Sequence, residues 1–254
     1  MSIIELTNVA KRFGNTQVLH EVSFTVAEGR TTAIVGPSGA GKSVVLRHIV
    51  GLERPDSGSV RCLDVELATA TEAELYAVRR RLGMLFQDGA LFDSMTVSEN
   101  VCFPLRHHAH TLTHAQQLEQ AEHTLEMVGL SGFGNRMPSE LSGGQRKRVG
   151  LARAVVMRPE LVLFDEPNSG LDPMTATAID DLIVEMKEHL GITFVIISHD
   201  IIGTMRVADD IVMIHDGQVV TTGPASQVLR SDIPFVRSFF ARNYGAVSRE
   251  PSLA

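Results

Sequence analysis

The sequence predicts an α/β protein built on a mostly parallel sheet, with a helical lobe inserted into it. Three observations carry the prediction. The stretches "TTAIVG", "ELVLFDEP" and "ITFVIISHD" are short and almost wholly apolar, the pattern of strands buried on both faces. Stretches of helical periodicity separate them, and strands alternating with helices build parallel sheets. A long helical block, residues 88 to 158, then interrupts that alternation as an insertion would.

Taken in order, the chain begins in β structure: "IIELTNV" and "VLHEVSFTV" alternate or run apolar, with "GN" and "EG" as turns. "TTAIVG" follows as a core strand. The next helix, "KSVVLRHIVGL", is apolar at Val44, Val45, Ile49 and Val50 and finds its stop at Gly51. Thr71 with Glu74 forms a capping box ahead of "LYAVRRRLG", and Thr113 with Gln116 repeats it ahead of "QLEQAEHTLEMVGL". Beyond the helical block, "ELVLFDEP" is a buried strand. Asp172 and Pro173 then make an N-cap and first-turn pair for a helix carrying Ile179, Leu182, Ile183, Met186 and Leu190 on one face. "ITFVIISHD" returns to the sheet, and "DDIVMIHDGQVVTTG" reads as a hairpin turned at Asp216–Gly217. Residues 1–241 thus form one domain with the lobe at about 88–158, and the polar, aperiodic residues 242–254 read as a tail.

With 254 residues, 44% hydrophobic and 21% charged, the chain can bury a substantial core, which excludes disordered and collagen-like classes. A net charge of -7 argues against broad nucleic-acid binding, which needs a basic face to displace counterions. The two cysteines, Cys62 and Cys102, lack zinc-site spacing and read as buried apolar residues of a reduced chain. "MSIIELTNVAKRFG" has no signal-peptide pattern, and no apolar run approaches the roughly 20 residues of a membrane span, so membrane contact is expected through partners. His107, His108, His110 and His114 straddle a loop and a helix start rather than one face, so a solvated segment is expected there and not a metal site. Met127, Met157 and Met186 read as core gap-fillers.

The chemistry is concentrated in three places. "GPSGAGKS" fits G-x-x-x-x-G-K-S between a strand and a helix. Such a loop turns backbone N–H groups toward phosphate oxygens at a helix N-terminus, so nucleotide is expected on Gly36, Pro37, Ser38, Gly39, Ala40, Gly41, Lys42, Ser43 and Val44. Lys42 would reach the outer phosphates and Ser43 would ligate magnesium. Asp165 and Glu166 end a buried strand, where paired carboxylates need a cation or a proton to manage their charge. Asp165 is expected in the magnesium shell, and Glu166 is expected to orient and polarise a water. In "SELSGGQRKRVG", Ser142 and Gln145 make a capping pattern while Gly143 and Gly144 leave first-turn amides uncovered. A second phosphate site and a well-capped structural helix both fit that stretch.

The P-loop, "LSGGQ" at 141 to 145, "LVLFDEP", "SGLD" at 169 to 172 and "ISHD" at 197 to 200 occur in the order and spacing of ABC-transporter nucleotide-binding subunits, which the chain resembles over roughly residues 3 to 240. The resemblance implies the ABC ATPase fold: a P-loop NTPase core, an N-terminal antiparallel β subdomain and an inserted helical subdomain. It implies a head-to-tail homodimer in which Ser142, Gly143, Gly144 and Gln145 of one copy cap the ATP, with Mg²⁺, on the P-loop of the other. Phe13 would stack on adenine; Gln87 would touch magnesium and water and sense the membrane partner. His199 would contact the outer phosphate, and Asp172 would couple the two sites. Gly170 stands where alanine is frequent.

Within the family, "FQDGALFDSMTVSENVCFPLR" and "MPSELSGG" resemble ATPases of Mla and Mce type lipid-transport systems, although His107 and His108 fall where acidic residues are frequent. That implies phospholipid or other lipid as cargo and a peripheral place on the cytoplasmic face of a bacterial inner membrane. The partners implied are two separate transmembrane permease subunits docking near the helical lobe, an Mce-domain lipid-binding protein and a small cytosolic accessory subunit. Nucleic acid is not among them. Phe235, Phe239 and Phe240 are expected to strengthen subunit contact. The alternatives are an importer ATPase for another substrate, a nucleotide-gated regulatory module, and a soluble ABC ATPase acting on DNA or ribosomes. Members of that last class carry two cassettes or a long coiled-coil insertion, and this chain has neither.

Overall fold

Strand β1 (Ser2–Phe13) turns back at Gly14 into β2 (Thr16–Ala27), and β3 (Thr31–Val35) then runs fully buried into helix α1 (Lys42–Ile49). This computed structural model describes residues 1–87, 89–109 and 111–244, with side chains through residue 241. β4 (Ser57–Cys62) and β5 (Val65–Glu66) return to β1, giving an antiparallel sheet in the order β2-β1-β4-β5. Helix α2 (Glu72–Arg79) leads to β6 (Leu82–Leu85), and the lobe follows as α3 (Val97–His108), α4 (His114–Met127) and α5 (Gly143–Val155). The core resumes with β7 (Leu161–Asp165), α6 (Pro173–Leu190), β8 (Thr193–Ser198), α7 (Ile201–Val207) and the hairpin β9 (Asp210–His215) and β10 (Gln218–Pro224). Short α8 (Ala225–Val228) and α9 (Pro234–Tyr244) close the described chain. The second sheet has the order β10-β9-β3-β8-β7-β6, parallel except for β10.

Local chemistry sets these boundaries. Both expected capping boxes form, Thr71 with Glu74 and Thr113 with Gln116, and a third, Thr96 with Glu99, opens α3 on the same signature. Asp172 caps α6 by accepting from Met174 and Thr175 amides. Asp216 and Gly217 take positive φ of 46° and 70°, the conformation of a two-residue hairpin turn whose twist matches its strands. β4 and β5 were not legible from the sequence pattern, because Gly58 inside β4 reads as a turn. A Cβ there would lie 2.3 Å from the Asn8 carbonyl oxygen, so glycine is what lets β4 approach β1.

One apolar cluster joins the antiparallel sheet to α1 and one face of the parallel sheet; a second joins the other face to the helical lobe. Cys62 and Cys102 are unpaired and buried in these clusters, and Met186 is buried in the second with Met127 and Met157 packed against it. The third cluster holds α9 against β3 and β9, and it places Phe240, of the three C-terminal aromatics, inside the chain's own core. Phe240 is 5% exposed within it, and Phe235 stacks on His215 at 3.9 Å. Phe240 thus serves the chain's own core, where α9 covers an apolar sheet face, and Phe235 and Phe239 sit half-buried at its margin. Helix α9 continues to Tyr244, three residues into the segment read as a tail, while residues 245–254 lie outside the described residues. Among the described residues no helix is long and apolar enough to cross a membrane.

Candidate functional site

Sheet register gathers the motifs. β3 pairs with β8 through Val35 and Ser198, β8 with β7 through Ile197 and Asp165, and β7 with β6 through Phe164 and Leu85, all parallel. The strands therefore end at one edge. Gly36, His199 and Glu166 come at or one step beyond that edge, and Gln87 two residues past Leu85. Four motifs spread between residues 36 and 199 meet where parallel sheets place their sites.

The glycine-rich loop is built by close approach. A Cβ on Gly36 would sit 2.0 Å from the Ile214 carbonyl oxygen, and one on Gly41 would sit 2.7 Å from Leu19 Cδ2, with both φ values positive at 153° and 100°. Only glycine permits this path between β9 and β2. Lys42, 8% exposed, donates from Nζ to the carbonyls of Gly36 and Pro37, each at 2.8 Å. Burial pushes its pKa below the usual lysine value, against the pull of Glu166 and Asp165. Ser43 is exposed in the first turn of α1 and carries an oxygen donor.

Asp165 ends β7 with its pKa raised by burial and then by Glu166, partly offset by Lys42, Arg47 and Lys147. Glu166 follows with φ 55°, a left-handed conformation that strains a residue bearing a side chain by about 1–2 kcal/mol. Its neighbours hold it there: its amide donates to the Ile197 carbonyl at 2.9 Å, and its own carbonyl accepts from Lys147 Nζ at 3.2 Å. The bend presents its carboxylate to His199, whose Nδ1 lies 2.5 Å from Glu166 Oε2. Gln87 is exposed, donates to Ser169 Oγ at 3.1 Å, and gives its carbonyl to Lys147. Ser43, Gln87 and Asp165 offer a hydroxyl, an amide oxygen and a half-buried carboxylate, the hard oxygen donors that suit Mg²⁺, and the burial that raises the Asp165 pKa favours a cation beside it.

Ser142 caps α5 in a reciprocal box: its amide donates to Gln145 Oε1 at 2.9 Å, and its Oγ accepts from the Gln145 amide at 3.3 Å. A Cβ on Gly144 would meet Thr175 Cγ2 at 2.4 Å, and Thr175 bonds Asp172. The signature helix start and the Asp172 loop are thus packed together, on elements other than the P-loop. Phe13 ends β1 with its ring 41% exposed under Lys11 Nζ at 5.4 Å, so it is not a core aromatic. It pairs with Thr16 on β2, the strand whose Val18 and Leu19 press on Gly41. His107 stacks near Phe103 at 4.5 Å, His108 meets the Tyr76 hydroxyl at 2.9 Å, and His114 begins α4; His110 lies outside the described residues.

Three further residues at this edge had no sequence signal. Lys147 and Arg153 look like ordinary exposed charges of a basic helix, yet Lys147 is 4% exposed and Arg153 donates to the Gly89 and Ala90 carbonyls at 2.6 and 2.7 Å. Asp180 sits on the apolar face of α6, where it accepts from Asn168 Nδ2 at 2.7 Å beside Glu166, Ser198 and His199.

Residues 19–169 match the family model described as ABC transporter. The chain is 39% identical over 239 residues to the probable ribonucleotide transport ATP-binding protein mkl of Mycobacterium tuberculosis, covering 93% of this chain and 66% of that protein. It is also 39% identical over 241 residues to MlaF of Escherichia coli, the intermembrane phospholipid transport system ATP-binding protein, covering 94% of this chain and 88% of that one. Among solved structures, it is similar to the dimeric post-hydrolysis state of the ATP-binding cassette MJ0796 bound to ADP and Pi, with TM-score 0.79 and 32% identity over 87% of this chain and 98% of that one. Similarity to cbiO1 from Clostridium perfringens, part of the ABC transporter complex cbiONQ, reaches TM-score 0.83 at 28% identity, over 95% of each chain.

Proposed function

The chain belongs to the ABC transporter family with the ABC ATPase fold, and from that premise we propose that it binds and hydrolyses ATP as a homodimer to drive lipid transport between or across bacterial membranes. The observation that carries the catalytic part is the sheet edge on which Lys42, Asp165, Glu166, Gln87 and His199 converge. The loop amides from Gly36 to Val44 and the Lys42 ammonium hold the triphosphate, releasing Lys42 from its two carbonyls, while Phe13 stacks on the base. Glu166, turned by its left-handed backbone and held by His199, takes the proton side of the attacking water. His199 then steadies the outer phosphate, and Gln87, whose NH2 group bonds Ser169 Oγ, would offer its side-chain oxygen to the metal. Ser43, Gln87 and Asp165 are the residues that would hold Mg²⁺, which when bound neutralises charge developing on the phosphates.

Ser142 to Gln145 of one copy roof the nucleotide on the P-loop of the other, and Asp172 couples the two sites, so ATP closes the dimer and its loss opens it. The dimeric ADP-bound cassette among the similar structures supports this arrangement. Likeness to MlaF, named for intermembrane phospholipid transport, supports phospholipid as cargo. In this reading the chain works through two permease subunits docking by the helical lobe, peripherally on the cytoplasmic face of the inner membrane. The equal identity to a protein named for ribonucleotide transport favours a second reading with a different cargo. Purification from detergent-solubilised membranes, followed by identification of bound lipid or nucleotide, separates the two. For the chemistry, Glu166→Gln should keep ATP binding and lower turnover by about 100-fold or more. Undiminished hydrolysis in that variant removes Glu166 from its role.

A further inference from the structure

Lys147 lies on α5, five residues beyond the Ser142 cap, and is 4% exposed. Its Nζ donates to two main-chain carbonyls from distant parts of the chain, those of Gln87 and Glu166. A buried ammonium needs such acceptors, and carbonyls bound to a cation are held more firmly than carbonyls bound to neutral donors. The rest of α5 reinforces the contact: a Cβ on Gly150 would lie 2.7 Å from Leu85 Cδ1 and 3.2 Å from Gly89 Cα, and Arg153 takes the Gly89 and Ala90 carbonyls. One helix therefore presents Ser142 to Gln145 at its start and grips the backbone of Gln87 and Glu166 one turn later.

We propose that Lys147 is a positioning residue for hydrolysis, tying the helix that roofs the partner's nucleotide to the Gln87 and Glu166 backbones of its own site. This rests on the function proposed above. When α5 shifts as its start closes on a triphosphate held by the partner, Lys147 carries that shift to the two carbonyls, and the left-handed Glu166 turns its carboxylate with it. Each site then reports its occupancy to the other through one side chain in the same copy.

The test measures ATP turnover against ATP concentration for the full-length chain in its membrane complex, with wild type, Lys147→Met, Lys147→Gln and Lys147→Arg. Lys147→Met should lower kcat by about tenfold or more, leave the half-saturating ATP concentration within about threefold, and bring the Hill coefficient to about 1. Lys147→Arg, which keeps a cation able to reach both carbonyls, should restore kcat and cooperativity, and Lys147→Gln should fall between. A Lys147 that only supports the fold would lower the melting temperature while kcat per folded molecule and the Hill coefficient stayed at wild-type values. That result overturns the proposal, and if Lys147→Met does not fold, wild-type kcat and cooperativity in Lys147→Gln overturn it equally. Glu166→Gln in the same series keeps the readings apart: hydrolysis surviving there sinks the assignment of Glu166, whatever Lys147 does.

Discussion

Asp180→Asn is expected to stabilise the protein, and more so at alkaline than at acid pH. Asp180 is 3% exposed on α6, and burial, with Asp200 and Asp181 nearby, pushes its carboxyl from 3.8 up to about 6 against the Asn168 hydrogen bond and Arg206. A carboxyl whose folded pKa is raised binds its proton more tightly in the folded state, so the stability it contributes is complete below 3.8 and is lost as pH rises through about 6. At about 1.4 kcal/mol per pH unit, the ionised carboxyl at pH 8 costs about 3 kcal/mol. At pH 4.5 the folded carboxyl is already neutral while most unfolded chains carry it ionised, so about 1 kcal/mol remains. Asparagine keeps an oxygen for Asn168 Nδ2 and carries no charge to bury. For a chain of this size, thermal unfolding should rise by about 6–12 °C at pH 8 and about 2–4 °C at pH 4.5. An equal gain at both pH values, or a loss at pH 8, would show that ionisation of Asp180 is not what the fold works against.

Other substitutions probe separate parts of the molecule. Lys42→Ala should weaken ATP binding by about tenfold or more, measured by calorimetry, because the loop loses its one buried ammonium; retention of wild-type affinity contradicts the phosphate role. Gly83→Ala on β6 would drive a Cβ to 2.1 Å from the Ala154 carbonyl oxygen of α5 and should lower unfolding stability by about 1–3 kcal/mol in denaturant titration. A neutral result there would mean that β6 and α5 are not in the close contact described. Phe240→Ala should cost about 3–5 kcal/mol while leaving the dimerisation constant of the folded protein unchanged, since the ring belongs to the chain's own core. Loss of dimerisation without loss of stability would return that aromatic to a subunit interface.

The motif-bearing half of this site was legible because its chemistry is contiguous. Strand, glycine loop and helix follow one another at Gly36 to Ser43, and a capping box is a four-residue device, so Ser142 with Gln145 and Thr71 with Glu74 could be read without knowing what surrounds them. The same logic reached Asp172 and the Asp216–Gly217 turn. β4 escaped it because its glycine answers to Asn8, fifty residues away. Phe240 lies in the chain's own core, a place the sequence could not give, because an apolar residue states that a face is buried and not what buries it.

What the chain determined by itself is the order of elements and the residue types available to hold phosphate, cation and water. Tertiary structure alone decided that β3, β8, β7 and β6 end level, which brings Glu166 to His199 and Gln87 to Ser169. It also decided that Lys147 is buried against distant carbonyls rather than one more charge on a basic helix, and that burial pushes the Asp180 carboxyl up to about 6. The reason is that spacing along a chain is local information, whereas burial, desolvation and the neighbours of a charge are set by segments remote in sequence, and those are what settle a charged group's role.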